Sequence, residues 1–162
     1  MEKKIVIING SGGVGKDTFV ELCSEFANVK NISSVDKVKE AAKILVNWQG
    51  EKDDKGRKLL VDLKALSIEY NDYPMTYIKE EAEKFMADEE QSIMFVHIRE
   101  ISEIEKVKEM LDAKTLLITS TRVPKITTNN SDANVDQYDY DFYIANDGTL
   151  EELRELAKKF VV

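Results

Sequence analysis

The run Gly10-Ser11-Gly12-Gly13-Val14-Gly15-Lys16 follows directly on the apolar stretch Ile5 to Ile8, and no other part of the chain restricts the fold as much. A short buried strand that feeds a glycine-rich turn, with an amphipathic segment opening at the lysine, has the order strand, loop, helix of a phosphate-binding loop. Glycines let successive N–H groups turn toward one point, and the N-terminus of the following helix faces the same point. The α- and β-phosphates of a nucleotide suit such a cradle, and the Lys16 ammonium reaches the β- and γ-phosphates. A glycine turn that binds nothing would need neither the lysine nor the flanking elements.

After the lysine such loops usually carry Ser or Thr, whose hydroxyl meets Mg²⁺. Here Asp17 occupies that place and Thr18 follows. An Asp in a first helical turn is favoured by the helix dipole and can be a helix-start residue only. It can equally hold Mg²⁺, directly or through water, with Thr18. Next to bare phosphates its charge is repulsive unless a cation lies between them.

With 162 residues, 43% hydrophobic and 33% charged, the chain is expected to be one soluble domain over 1–162, large enough for a sizeable core. Its net charge of −8 argues against a nucleic-acid polymer or an anionic membrane as partner, so an anionic ligand must be met locally. The N-terminal apolar run is too short for a signal sequence or a membrane span, and Cys23, alone, cannot form an internal disulfide; a cytoplasmic setting is expected. Cys23 falls among the apolar positions of the first helix, where it reads as a small core residue. Only four of the 23 basic residues are arginines: Arg57, Arg99, Arg122 and Arg154. Lysine suffices for solubility, whereas the planar guanidinium grips phosphate bidentately, so these few positions draw attention.

Strand and helix patterns alternate throughout, which predicts a three-layer α/β/α fold on a five-stranded parallel sheet. Strands are expected at 4–9, 32–35, 93–98, 115–119 and 142–145. Helices are expected at 16–27, 37–46 (opened by Asp36), 57–69, 76–88, 101–111 and 150–160. Leu59, Leu60, Leu63 and Leu66 are expected inward on the third helix, and Tyr77, Ile78, Ala82, Phe85 and Met86 on the fourth. Pro74 marks a break between those two. The polar stretch 122–139 is too long for an ordinary connection and reads as functional or mobile.

Ligands of parallel sheets gather outside the carboxyl ends of the strands, and each strand delivers polar groups there. They are the phosphate loop with Lys16; Asp36; His97 and Arg99; Ser120 and Arg122; and Asn146, Asp147 and Gly148. Loop polarity alone accounts well for Asn146 to Gly148, but poorly for two of four arginines.

On Gly15-Lys16-Asp17-Thr18, Asp36, Lys55-Gly56-Arg57, Arg99, Thr121-Arg122 and the stretch Asp141 to Gly148, the chain resembles the P-loop nucleoside and nucleotide monophosphate kinases nearly end to end. The resemblance is to the deoxynucleoside monophosphate kinase branch, related to phosphomevalonate kinase. It implies transfer of the ATP γ-phosphoryl group to a small phosphorylated acceptor, with Mg²⁺, an acceptor-binding helical region at about 37–90 and a lid at about 122–139. It further implies that Lys16 holds the donor phosphates, that Arg122 approaches the transferring group, and that Arg57 and Arg99 grip the acceptor phosphate. Asp36 would accept a hydrogen bond from the acceptor, and Asn146 to Gly148 would border the donor base. Surface ion pairs for the arginines, and a helix-cap role for Asp36, remain the plain alternatives.

One departure stands out. Relatives usually place Asp at the end of the third strand, where His97 stands here, and a neutral imidazole is a poor ligand for a hard cation. Either Mg²⁺ rests on Asp17, Thr18 and water, or catalysis is weak; His97 can also be a satisfied structural residue. The same departure favours a rival of another class, a regulatory ATP-binding module with little or no turnover. A non-nucleotide phosphate is the alternative acceptor; aromatic residues such as Trp48, Tyr70, Tyr73 or Tyr77 in an acceptor pocket would favour a nucleotide, although such residues belong more often to a core. No Asn-Lys-x-Asp motif supports a GTPase, and no apolar run ending in Asp-Glu supports a motor ATPase.

Overall fold

Along the first strand, β1 (Lys4–Asn9), Val6, Ile7 and Ile8 are all sealed from solvent, although consecutive strand residues face opposite ways. A strand buried on both faces must be central, and the sheet order is β2-β3-β1-β4-β5 with every pairing parallel. The computed structural model describes residues 2–123 and 135–162. The other strands are β2 (Val29–Ser33), β3 (Ile93–His97), β4 (Lys114–Thr119) and β5 (Phe142–Ala145).

Six α-helices lie among the described residues: α1 (Lys16–Cys23), α2 (Asp36–Val46), α3 (Asp54–Asn71), α4 (Tyr73–Ala87), α5 (Ile101–Leu111) and α6 (Leu150–Val161). The alternation within β1 divides the core in two. Ile7 joins Ile78, Phe85, Met94, Val96 and Ile104 under α4 and α5. Val6 and Ile8 join Phe19, Cys23, Phe95, Leu116 and Leu153 under α1 and α6. The expected five-stranded α/β/α architecture is therefore the observed one. Cys23 is buried in the second cluster, where desolvation pushes its thiol up to about 12, a poor nucleophile.

Several boundaries differ from expectation. The first helix stops at Cys23 rather than at Ala27, because the N–H groups of Glu25 and Phe26 turn to carbonyls three residues back. The second strand begins earlier and ends earlier, at Val29–Ser33; it is an edge strand with only Ile32 fully buried, so its apolar pattern is faint. The third helix starts at Asp54, capped by the Asp53 carboxylate, which accepts the Gly56 N–H at 2.8 Å. Gly56 has no side chain to spare: a Cβ there would lie 2.2 Å from the Glu51 carbonyl oxygen. Leu66 is 62% exposed and Leu59, Leu60 and Leu63 are only half-buried, so the leucine stripe is not sealed core: α3 packs against α2 and α4, which cover it only in part. Met86 likewise faces outward, while Tyr77, Ile78, Ala82 and Phe85 are buried as expected. The break at Pro74 is made by a single left-handed residue, Asp72 (φ 50°), with Pro74 in the first turn of α4.

Candidate active site

The phosphate loop leaves β1 in a space that admits only glycine. Gly13 (φ 84°) and Gly15 (φ 101°) take left-handed conformations, which turns successive N–H groups toward one side. A Cβ on Gly10 would stand 2.6 Å from the Ile118 carbonyl oxygen and 2.8 Å from Val14 Cγ2; one on Gly15 would stand 2.6 Å from Asn146 Nδ2. Val14 is buried and anchors the loop in the α1 and α6 side of the core. Lys16 opens α1, and its ammonium folds back to donate to the Gly10 carbonyl at 2.7 Å. Ser11 and Gly12 are half-buried along the same rim, while Asp17 and Thr18 are exposed on the first turn of the helix.

Two neighbouring strand ends are tied to this loop. Asn146, just past β5, donates its backbone N–H to the Thr119 carbonyl at 2.7 Å and its side-chain amide to the Val14 carbonyl at 2.9 Å. Asp147 accepts from the Thr121 N–H at 2.6 Å and from the Thr121 hydroxyl at 2.8 Å, which holds its carboxyl below the usual range. The Arg122 guanidinium donates to the Gly148 carbonyl. Arg122, Asn146 and Gly148 thus meet beside the phosphate loop. Of the expected lid, positions 124–134 lie outside the described residues.

On the other side of β1 stand Asp36 and His97. Asp36 is the first residue of α2, and its Oδ2 accepts from the Ser33 N–H at 2.9 Å and from the Tyr77 hydroxyl at 2.8 Å. Tyr77 is buried; desolvation first, and then the Asp36 carboxylate, raise its phenol well above the usual value. A carboxylate fixed through one oxygen in this way presents the other in a defined direction. Arg99 follows β3 on an exposed turn. Arg57 is also exposed and lies in an i,i+3 pair with Asp54 at 3.8 Å, a weak surface contact that leaves it open to other anions. Lys64 of α3, missed by the sequence reading, bonds Glu103 of α5 at 3.1 Å and Ser34 at 3.5 Å, and so fastens α3 over the end of β2.

His97 is half-buried, with Nε2 2.8 Å from Asn31 Oδ1, a contact that places its hydrogen on Nε2. Burial, reinforced by the neighbouring Lys16 ammonium and opposed by Asp17 and Asp36, pushes the imidazole down from 6.5 to about 4. It is therefore neutral at physiological pH. In the unfolded chain His97 takes up its proton near 6.5 and in the folded chain only near 4, so the unfolded state binds more protons in that interval. Stability contributed by the neutral ring is fully present above the upper value and is lost as pH falls toward the lower. Melting curves from about pH 7.5 down to about pH 4.5 are expected to decline more steeply for the native chain than for His97→Gln, and to run parallel above the interval. Equal slopes throughout would show that the ring titrates as it does in water.

Among the described residues no group of three or more His, Cys, Asp or Glu side chains is placed to hold a metal ion. Asp17 and Thr18, exposed on the first turn of α1, present hard side-chain oxygens beside the loop. No helix among the described residues is long and apolar enough to cross a membrane.

A central phosphate loop, a parallel sheet and helices on both faces define the class: the chain has the α/β fold of the P-loop kinases. Its likeness to solved structures runs almost end to end. The crystal structure of the Thermus thermophilus protein TT1252 is 20% identical, with 99% of this chain and 97% of that one covered and a TM-score of 0.56. The shikimate kinase of Aquifex aeolicus is 13% identical over 96% of each chain, with a TM-score of 0.50. The Deinococcus radiodurans tunicamycin resistance protein is 13% identical over 98% of this chain and 96% of that one, at a TM-score of 0.51. No protein-family model matches the chain, and no curated protein matches it.

Proposed function

We propose that this protein is an ATP-dependent kinase that transfers the γ-phosphoryl group to a small phosphorylated acceptor, a nucleoside or deoxynucleoside monophosphate. The observation that carries the reading is the phosphate loop: left-handed Gly13 and Gly15 ahead of Lys16, wedged where no Cβ fits at Gly10 or Gly15, with Asn146 bonded to it and Arg122 beside it. The shikimate kinase among its structural neighbours supports the same direction.

Phosphoryl transfer needs positioning and cations more than covalent chemistry. In this reading Lys16 exchanges the Gly10 carbonyl for the β- and γ-phosphates, and the loop of residues 10–18 wraps the donor with the N–H groups that follow Gly10. Arg122 releases the Gly148 carbonyl to face the transferring group, while Asn146 and Gly148 border the donor base. Mg²⁺ would supply charge neutralisation between the phosphates, held on the protein side by Asp17 and Thr18. Asp36, oriented by Tyr77, accepts a hydrogen bond from the acceptor, and Arg99 and Arg57 take its phosphate; the helices of about 37–90 form the walls of that site. Neutral His97 stands where a second carboxylate would add negative charge, so the site relies on Asp17 for that purpose.

A coupled ADP-release assay with ATP and Mg²⁺, run against nucleoside and deoxynucleoside monophosphates and against non-nucleotide phosphates, tests the proposal. One monophosphate is expected to raise ADP release at least about tenfold above the acceptor-free rate, because water is a poor substitute for a positioned acceptor. Stimulation only by a non-nucleotide phosphate would keep the kinase and change its acceptor. Tight ATP binding with no acceptor-stimulated release would make the chain a regulatory ATP-binding module.

A further inference from the structure

We propose that Asn9 and Tyr140 form a positioning relay that links occupancy of the phosphate loop to the backbone carrying Arg99 and to the turn Val135–Gln137. The inference rests on the nucleotide-binding reading above and adds two residues to it. Asn9 is the last residue of β1 and is completely buried; Tyr140 is 4% exposed. Four hydrogen bonds run through them. The Gly10 N–H donates to Asn9 Oδ1 at 2.8 Å. Asn9 Nδ2 donates to the Arg99 carbonyl at 3.3 Å and to the Tyr140 hydroxyl at 3.0 Å. The Tyr140 hydroxyl in turn donates to the Val135 carbonyl at 2.6 Å.

The direction of every bond is forced. A backbone N–H only donates and a carbonyl only accepts, so the Asn9 oxygen must face Gly10 and its NH₂ must face Arg99. Tyr140 is then left to accept from Asn9 and to donate to Val135. An aliphatic side chain at position 9 would take this acceptor from the buried Gly10 N–H and this donor from the Arg99 carbonyl, a costly exchange. The planar amide moves as one piece, so a change in the hydrogen bonding of Gly10 at one end displaces the donors at the other. Gly10 is where such a change begins: Lys16 is bonded to its carbonyl, and contacts with Ile118 and Val14 leave the residue little room to absorb the shift locally. In sequence the three connected points lie far apart, one in the donor loop, one behind β3, and one ahead of β5.

The test follows backbone amides by NMR hydrogen exchange in the full chain, with and without ATP and Mg²⁺. In the native protein, nucleotide is expected to change exchange at Gly10 and also at residues 135–140. Tyr140→Phe removes one hydroxyl and leaves the ring; it should keep ATP affinity within about fivefold and lose the nucleotide-dependent change at 135–140. Tyr143→Phe serves as the control for local disturbance. Its hydroxyl accepts the Tyr140 N–H at 2.9 Å, yet lies outside the relay, so this variant should keep the change. ATP binding without any response at 135–140 in the native chain, or an undiminished response in Tyr140→Phe, overturns the relay and leaves the kinase proposal standing. Failure to bind either ATP or inorganic pyrophosphate overturns both.

Discussion

Lys16→Ala is expected to lower kcat by roughly 100- to 1,000-fold, the usual cost of removing one preorganised charge donor from a developing anion. The geometry makes this a clean experiment. In the present structure the ammonium satisfies the Gly10 carbonyl at 2.7 Å, at the half-buried start of α1. Its loss therefore touches the fold lightly, and the melting temperature should move by only a few degrees, since a single hydrogen bond is worth about 1 kcal/mol. Coupled ADP release and thermal melts on the same preparation separate the two effects. A variant that melts like the native chain and still turns over at the native rate would remove Lys16 from the reaction.

The opposite pattern is expected for Gly10→Ala, which should cost about 3 kcal/mol through overpacking and backbone strain together. The added methyl would sit 2.6 Å from the Ile118 backbone oxygen, which belongs to a central strand and cannot step aside. At this chain length the loss corresponds to a fall in Tm of roughly 10 °C. Nucleotide affinity should fall with it, because the same displacement moves the start of the loop and the Lys16 ammonium that leans on it. Calorimetry for stability and titration with a fluorescent ATP analogue for affinity check the two halves; an unchanged Tm would mean that the loop has more room than the contacts allow.

Much of this architecture is legible in the sequence because several elements are sharply bounded. The strands at 4–9 and 142–145 and the helix at 101–111 fall where their patterns place them, each closed off by polar or glycine residues. Where burial is one-sided the reading weakens. The edge strand β2 keeps a single buried residue, Ile32, and its ends were accordingly displaced. Leucines at helical spacing on α3 say that an apolar stripe exists, but not how much of it another element covers, and the exposed Leu66 shows that the covering is partial among the described residues. The site divides in the same way. Glycines, lysine and helix lie adjacent in the chain and announce the phosphate loop at once, whereas the pairing of Asp36 with Tyr77, 41 positions away, leaves no local trace. Asn9 closes the strand expected at 4–9, where a terminal polar residue draws no attention; its one available signal is that it continues the strand's inward register.

The sheet order also dictates when the phosphate loop can exist. Its seven residues are made well before the strands it needs: β1 pairs with β3, which begins at Ile93, and with β4, which begins at Lys114. Until the chain has closed that long interval, β1 has no ladder on either side and Gly10 has no Ile118 to lean on. Such non-local closure is slow relative to forming helices, so α1 to α4 are free to assemble while the strand that carries the loop is still unpaired. A chain interrupted before β3 would thus contain the entire motif and none of the site, with an apolar strand exposed to whatever else is nearby.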